Sequence, residues 1–589
     1  MRSLLFIFLV IFSTLSKGQG YLKTNGQKIV DGNGKEVILR GMGLGGWMLQ
    51  EPYMMKLSGI AYAQHDIREK IVELVGEKRT ATIYDTWWKN HCTKADIDSL
   101  AAWGFNAVRL PIHYNLFTLP VEKEPVKGKQ TWLKKGFEMT DELLRWCAAN
   151  KIYLILDLHA TPGGQGNDNA IADRDTTKAS LWDDPANREK TIALWKKLAE
   201  RYVNEPWIGG YDLINEPNWG FSDDAGKNGC NEKENVPLRN FLKELTFVVR
   251  AVDKNHIIIV EGNCWGNNYR GVFPLWDNNT VISFHKYWNY NDENSIKPYI
   301  EYRDKYNVPV WLGETGENSN AWFTDVVSLL EKNKIGWTMW PLKKSGLNNL
   351  MEIKMPTEMG SIYDYWSGKS KKPTAAKAYK ILMEYARNTN ISRNIIRHDV
   401  VDAMNRQVHS NETIPYAMHV ADPGSILYAV DYDLGRSGTA YYDIDSAEYW
   451  VSTNNRTGWN HGGQYRNDGV DIEKCEDKIT NGYNVGWIEN NEWLEYSVFV
   501  PENRSLGLEV RTASENTKGR IQVFINGVND SGTIELPVTG KKQEWRSSYI
   551  GQVTLNKGWN KVRVKAVNGG FNFNYLKFTS IALPGGQTN

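Results

Sequence analysis

Two carboxylates close two short apolar runs, Ile208-Gly-Gly-Tyr-Asp-Leu-Ile-Asn-Glu216-Pro217 and Val308-Pro-Val-Trp-Leu-Gly-Glu314. Runs of this length, bounded by glycine and proline, read as buried strands. Pro217 lacks a backbone N–H and fixes its own φ, so the first strand must stop there, leaving Asn215 and Glu216 at its carboxyl end. Two strand-end carboxylates are the parts of an acid/base and nucleophile pair. Either Glu alone is more simply a solvated or ion-paired carboxylate, so the weight falls on what accompanies them.

The company appears when the elements that must position these groups are traced. Apolar runs of strand length recur at 37–40, 107–110, 152–158, 208–214, 256–260, 281–284, 308–312 and 335–339. Amphipathic segments of helical period lie between most of them, at 94–102, 139–150, 187–203 and 238–252, and 261–280 carries the weakest helical pattern. Eight strands alternating with helices predict an α/β chain whose first domain is a (β/α)8 TIM barrel, whose functional groups gather at the carboxyl ends of the strands. Arg109 falls at the end of the second run and His159 at the end of the third. Asn215 and Glu216 end the fourth, His285 and Tyr287 the sixth, Glu314 the seventh and Trp340 the eighth. Singly these are an ion-pair partner, satisfied histidines and a core tryptophan; jointly the plain reading needs eight coincidences. No two His or Glu residues share a helix at i, i+4, and neither a metal nor another cofactor is expected.

The chain has 589 residues, room for two to four domains, and a net charge of +1. That balance carries no electrostatic footprint for nucleic acid and no polybasic face for anionic lipid, and it points to an uncharged substrate. The 24 Trp and 29 Tyr exceed what cores need and suit stacking on sugar rings. Residues 1–18 combine Arg2, an apolar run at 4–12 and small residues Ser16 and Gly18, the pattern of a signal peptide, so the protein is expected to be exported, secreted or periplasmic, with no membrane anchor. A monomer is expected. Of the five cysteines, Cys92, Cys147, Cys230, Cys264 and Cys475, none shows metal-ligand spacing; Cys230 and Cys264 fall in predicted loops, and the sequence leaves their pairing open.

With those residues in that order, the first domain resembles glycoside hydrolase family 5, a family of retaining hydrolases on the (β/α)8 barrel. The resemblance covers roughly 25–388 within an expected domain of 19–388. It implies Glu216 as acid/base, Glu314 as nucleophile and Asn215 as donor to the sugar 2-hydroxyl. Tyr287 would hold the nucleophile, Arg109 and His159 would orient the carboxylates, His285 would support the acid/base, and Trp340 would floor the subsite of the cleaved sugar. The stretch Arg40-Gly-Met-Gly-Leu-Gly-Gly-Trp-Met-Leu-Gln-Glu51 and the loop His159-Ala-Thr-Pro-Gly-Gly-Gln165 are similar to those of the family's exo-acting β-1,3-glucanases, implying that Glu51 binds hydroxyls of the terminal sugar. Two features depart from that subgroup: Thr315-Gly-Glu317 after the nucleophile, and an extra helical region at 65–91. An endo-acting β-1,4 or mixed-linkage glucanase, a mannanase, and an inactive glycan-binding barrel remain as alternatives.

A turn-rich Asp-Gly-Asn-Gly at 31–34 predicts a hairpin over 29–37 ahead of the barrel. The barrel is expected to close with a helix at 374–387. Residues 389–420 read as a linker with one more helix at 394–404. From 421 to 582, short alternating runs with Gly and Asn turns predict an all-β sandwich. This part resembles carbohydrate-binding module family 6, a jelly-roll, through Tyr465-Arg466, Asn484-Val-Gly-Trp487, Glu492-Trp-Leu-Glu-Tyr and Gly570-Phe-Asn572. The resemblance implies Trp487 as a sugar-stacking aromatic and Asn572 as a hydrogen-bonding amide. Lys542 stands where a second stacking Trp is expected, Tyr428 and Val430 stand where acidic residues often hold calcium, and Trp545 is expected in the core.

Overall fold

The computed structural model describes residues 20–449 and 459–581; the expected signal peptide lies outside the described residues. Eight parallel strands close into a barrel: β1 (Arg40–Gly43), β2 (Ala107–His113), β3 (Tyr153–Ala160), β4 (Ile208–Asp212), β5 (Ile258–Glu261), β6 (Thr280–Lys286), β7 (Val310–Gly316) and β8 (Gly336–Trp340), with β8 pairing back to β1. From β2 onward every strand residue is buried. Helices cover the outside and side chains fill the inside, which is why these strands read as continuous apolar runs. The amino-terminal end is plugged by Leu22, Leu39, Tyr153, Ile155, Ile259 and Trp311, so the carboxyl end is left for polar groups.

Several boundaries differ from expectation. The apolar run at 37–40 is the entry to β1: Leu39 packs into the plug, and the strand itself is the glycine-rich Arg40–Gly43. A hairpin forms one turn earlier, Lys23–Asn25 against Lys28–Val30, and the expected pairing across the Asp-Gly-Asn-Gly turn is short: the Val30–Glu36 bridge, with Val37 N donating to Ile29 O and Asp31 N to Lys35 O at 2.9 Å each. Asp31 Oδ1 accepts from the amides of Asn33 and Lys35, and this local bonding competes with a ladder there. The extra region is two helices, Gln64–Val75 and Glu77–His91, sharing an apolar cluster with the closing helix Ala375–Asn388.

Residues 389–420 are packed structure. Ile395–Ile396 pairs with Met351–Glu352, and the helix His398–Met404 sends Val400 and Met404 into the barrel's outer core. The second domain is a sandwich of two mostly antiparallel sheets, one centred on Trp493–Val500 and Gly558–Asn568, the other on Arg504–Ala513 and Asn572–Thr579. Val498, Leu508, Val523, Val562 and Leu576 are among the buried residues of its core. Trp545 is outside that core: it is half-exposed and donates to Gln543 Oε1 at 3.2 Å, because its segment only edges the strand Arg546–Leu555.

The two domains meet through a buried polar knot next to β7. Asn320 N donates to Asn467 O at 2.9 Å, Asn320 Nδ2 donates to Asp399 and Asp468 at 2.9 Å each, and Asn467 Nδ2 donates to Asn318 O at 2.8 Å. All five residues are buried. No helix among the described residues is long and apolar enough to cross a membrane.

Candidate active site

Arg109 organises the carboxyl end of the barrel. Its side chain is fully buried, and its guanidinium reaches Asp157 at 3.2 Å, Asp212 at 2.9 Å, Glu261 at 3.0 Å and Glu314 at 2.9 Å. It also donates to Asn215 Oδ1 at 2.8 Å. Burial disfavours the cation, yet the carboxylates of Asp157, Asp212, Glu261 and Glu314 outweigh it and hold Arg109 firmly protonated. A planar fork with five donors can serve these five partners, on or just past four different strands, at once; an ammonium cannot.

The two carboxylates at the centre differ in surroundings. Glu314 accepts from Arg109 on Oε2 and from the Tyr287 hydroxyl on Oε1 at 2.7 Å, so both its oxygens act as acceptors. Glu216 sits just past β4 in a left-handed conformation, φ 43, and its amide donates to Glu261 Oε2 at 2.7 Å. Its Oε1 meets His285 Nδ1 at 2.5 Å. Burial pushes the Glu216 carboxyl up to about 7, with the charges of Glu314 and Glu261 adding to it and His285 opposing. His285 faces Glu261 at 3.3 Å through Nε2 and is raised well above its ordinary value: burial works against the cation, and Glu261, Glu216 and Glu314 overcome it. Oxygens of Glu216 and Glu314 and a ring nitrogen of His285 lie within 4.8 Å of one another. Three such atoms are a possible cation ligand set, but the His285–Glu216 and Tyr287–Glu314 bonds already engage them.

His159 is driven down to about 3 by burial and is therefore neutral. Its Nδ1 pairs with Asp157 at 2.7 Å and its Nε2 with Asn215 Nδ2 at 3.2 Å. Neutrality and the two partners assign the proton to Nδ1 and make Nε2 the acceptor, which leaves Asn215 Nδ2 a second hydrogen to offer. The His159 ring lies flat against Trp340, 5.2 Å between centroids and 7° between planes. Gln165 ties this corner together, donating to His159 O at 2.7 Å and Asn215 O at 2.8 Å.

Trp340 explains part of the glycine-rich first strand. A Cβ on Gly43 would come within 2.4 Å of the indole and one on Gly45 within 2.7 Å, so the ring is seated directly on that backbone. Its Nε1 donates to Tyr53 OH at 3.0 Å. Glu51, one turn from Tyr53, is buried and raised well above the carboxylate range by burial and by the charges of Glu314 and Glu317. Glu317 is paired with Lys344 at 2.6 Å.

Nine residues expected from the sequence, Glu51, Arg109, His159, Asn215, Glu216, His285, Tyr287, Glu314 and Trp340, are thus brought to one end of the barrel. Asp157, Asp212 and Glu261 were missed. Glu261 closes the run Ile258-Ile-Val-Glu261 as Glu314 closes its own, and Asp157 and Asp212 are charges inside buried strands, each a readable signal. In the sandwich, Trp487 is 42% exposed, left-handed at φ 47, and lines a cleft with Lys542 and Asn572. Asn572 Nδ2 is committed to Glu473 at 2.7 Å and to Lys542 O at 2.9 Å, so that nitrogen frames the cleft. Cys230 and Cys264 form a disulfide; Cys92, Cys147 and Cys475 are free.

Residues 72–346 match the cellulase family, glycosyl hydrolase family 5, and residues 464–580 match carbohydrate-binding module family 6. Among similar proteins, a β-xylosidase of Phanerodontia chrysosporium is 26% identical over 380 residues, 58% of this chain and 75% of that protein. Endoglucanase C of Acetivibrio thermocellus is 23% identical over 339 residues, 46% of this chain and 91% of that protein. A glucan 1,3-β-glucosidase of Candida oleophila is 28% identical over 296 residues, 48% of this chain and 63% of that protein.

Proposed function

We propose, from the premise that the barrel is a glycosyl hydrolase family 5 domain and the sandwich a family 6 carbohydrate-binding module, that this chain is an exported, retaining hydrolase of β-1,3-glucan. The observation that carries the reading is the pair Glu216 and Glu314, oxygens within 4.8 Å, one raised to about 7 and the other bonded as a carboxylate. Retaining glycosidases hold their two carboxyl groups about 5 to 5.5 Å apart, too close for an intervening water and suited to covalent catalysis.

In the first step Glu314 attacks the anomeric carbon while Glu216 gives its proton to the departing glycosidic oxygen. The C–O bond breaks and a glycosyl ester on Glu314 forms. In the second, Glu216, now a base, takes a proton from water, whose oxygen displaces the ester. Arg109 and Tyr287 hold Glu314 in line, and Asn215, oriented by Arg109 and His159, offers its free hydrogen to the 2-hydroxyl. Trp340 presents a flat face beneath the sugar and Glu51 accepts hydroxyls of the terminal unit. Action from chain ends is supported by Glu51 buried beside this pair, and the linkage by the glucan 1,3-β-glucosidase relative. The endoglucanase relative favours a second reading, internal cleavage of a glucan, and the β-xylosidase relative puts xylo-oligosaccharides on the test panel. Export is supported by the charge and hydropathy pattern of 1–18 and by the disulfide.

Glu314→Gly should lose activity by several powers of ten and regain turnover with azide, giving a product of inverted configuration. Glu216→Ala should keep activity on activated leaving groups, with azide giving retained product. Near wild-type activity of either variant on polysaccharide overturns the assignment.

A further inference from the structure

The loop that holds Glu314 in place is itself held from two directions. Tyr287, whose hydroxyl donates to Glu314 Oε1 at 2.7 Å, opens the loop 287–291 directly after β6. Trp288 in that loop has left-handed backbone, φ 50, a conformation that a bulky residue keeps only where its surroundings enforce it. Part of the constraint comes from the barrel. The buried Lys286 side-chain nitrogen donates to Asn289 Oδ1 at 2.5 Å, Tyr290 O at 3.1 Å and Asn291 Oδ1 at 2.6 Å, so three consecutive residues fold back on one amine.

The rest comes from the other domain. In the sandwich, the loop that follows Tyr441–Tyr442 reaches across to the barrel: Ala447 is 3% exposed and belongs to the barrel's own apolar core, and the Tyr449 ring lies 4.7 Å from that of Tyr290, at 35°. The same loop grips the chain just past β7, on the far flank of Glu314. Asn318 Nδ2 donates to Glu448 O at 2.9 Å, and Glu448 N donates back to Asn318 Oδ1 at 3.0 Å. Ser319 Oγ, which caps the helix Asn320–Lys332 by accepting from Trp322 N at 3.2 Å, donates to Ser446 O at 2.5 Å. Asn318, Ser319 and Glu448 are buried, so pulling this clasp apart would strand polar groups away from water. A module that serves only to tether a catalyst to polymer acts through local concentration and needs no such contact with the loops around the nucleophile.

We propose that the sandwich is a structural part of the catalytic site: residues 446–449 are positioning residues that hold the loop 287–291, and through Tyr287 keep Glu314 in line for attack. The inference rests on Glu314 being the nucleophile.

The test uses the full chain and β-glucosyl fluoride, a substrate too small to engage the sandwich, so attachment to polymer does not enter the rate. Tyr449→Ala should lower kcat/KM about threefold to tenfold, the value of one aromatic pair, while binding of insoluble glucan stays unchanged; Tyr449→Phe, which keeps the ring, should behave as wild type. Tyr290→Ala should cost a similar factor, and combining it with Tyr449→Ala should cost no more than either alone. On a Tyr287→Phe background Tyr449→Ala should cost little further, because its effect runs through the Tyr287 hydroxyl. Ala447→Glu, which forces a charge out of the barrel core and lifts the loop, should cost more than Tyr449→Ala; if that variant does not fold, the Tyr449 series decides. An unchanged kcat/KM in Tyr449→Ala overturns the proposal, as does an equal loss in Tyr449→Phe or a loss that adds in full to that of Tyr287→Phe. Glu314→Gly is run in parallel. If it has lost activity on the fluoride and azide restores it, failure of Tyr449→Ala sinks this inference alone; if it keeps its activity, the nucleophile assignment fails first and the inference falls with it.

Discussion

On the proposed mechanism, the opposition between burial and His285 at Glu216 should set the alkaline limit of the enzyme. The acid role proposed for Glu216 needs its carboxyl protonated, so kcat/KM should fall as pH rises through about 7, the value to which burial lifts it. His285 pulls the other way, because its bond at 2.5 Å stabilises the ionised carboxylate. His285→Asn keeps a polar side chain of similar reach and removes the charge. A hydrogen bond to a charged group is worth about 1.5 to 3 kcal/mol, and at about 1.4 kcal/mol per unit the alkaline limb should move upward by about 1 to 2 pH units. Losing the cation also bares Glu261, whose charge pushes Glu216 in the same direction. The assay is kcat/KM on a laminari-oligosaccharide from pH 4 to 10 for both proteins, with Glu216→Ala on β-glucosyl fluoride alongside. An alkaline limb that stays in place or moves down in His285→Asn refutes the reasoning, and so does a limb near pH 7 that survives in Glu216→Ala.

Arg109→Met should destabilise the barrel by about 3 to 5 kcal/mol in denaturant unfolding, because it leaves Asp157, Asp212, Glu261 and Glu314 without their shared cation; a change under 1 kcal/mol would show that they relax by protonating. Glu51→Gln should cut kcat/KM on laminarin tenfold or more while glucose remains the main early product, and a ladder of oligosaccharides from wild type in the first minutes would show an open cleft instead. Asp173, in contact with His113 and His65 at 2.8 Å each, is held below the carboxylate range: burial opposes this, and the two histidine bonds prevail. His65 is raised by Asp173 in turn. A depressed Asp stabilises above its unfolded pKa of about 3.9 and a raised His below its unfolded pKa of about 6.5, so wild type should exceed Asp173→Asn in stability most between pH 4 and 6.5. Denaturant midpoints across pH 3 to 9 check this, and a gap that widens on either side contradicts it. Trp487→Ala should weaken binding of an insoluble glucan and leave kcat/KM on laminaritriose unchanged, as measured by pull-down and reducing-sugar assay; unchanged binding would move the face elsewhere on the sandwich.

The strand-end residues were legible because a polar or aromatic side chain that interrupts an apolar run is conspicuous at the one place a barrel exposes its strands. The same logic reaches Glu261, which closes Ile258-Ile-Val just as Glu314 closes its own run. Asp157 and Asp212 were hidden: they look like interruptions of a strand until Arg109, up to 103 positions away, is known to meet both. The first strand was misplaced because apolarity marks burial, and here the apolar Leu39 belongs to the plug while glycines form the strand to admit Trp340. Residues 389–420 looked like a spacer because a short helix with one buried edge leaves little periodicity. The role of Asn572 turns on which of its atoms are already bonded, which no pattern of residue types records.

The knot of Asn318, Asn320, Asp399, Asn467 and Asp468 gives the second domain a meaning different from that of a module on a string. A flexible linker lets a binder hold its catalyst at an average concentration that rises or falls with linker length, whatever the shape of the polymer. Amides and carboxylates bonded to one another and buried between the domains leave no such averaging. Each landing of the sandwich on a glycan should then present the barrel mouth in one orientation, so that the benefit of attachment depends on geometry. A surface whose chains run at the right angle and spacing should be degraded as though the enzyme were concentrated on it, and one of identical chemistry but different chain packing should gain less. If the sandwich holds glycan as proposed, the domain junction should act as a ruler for the architecture of the substrate, a form of selectivity that assays on dissolved oligosaccharides would not detect.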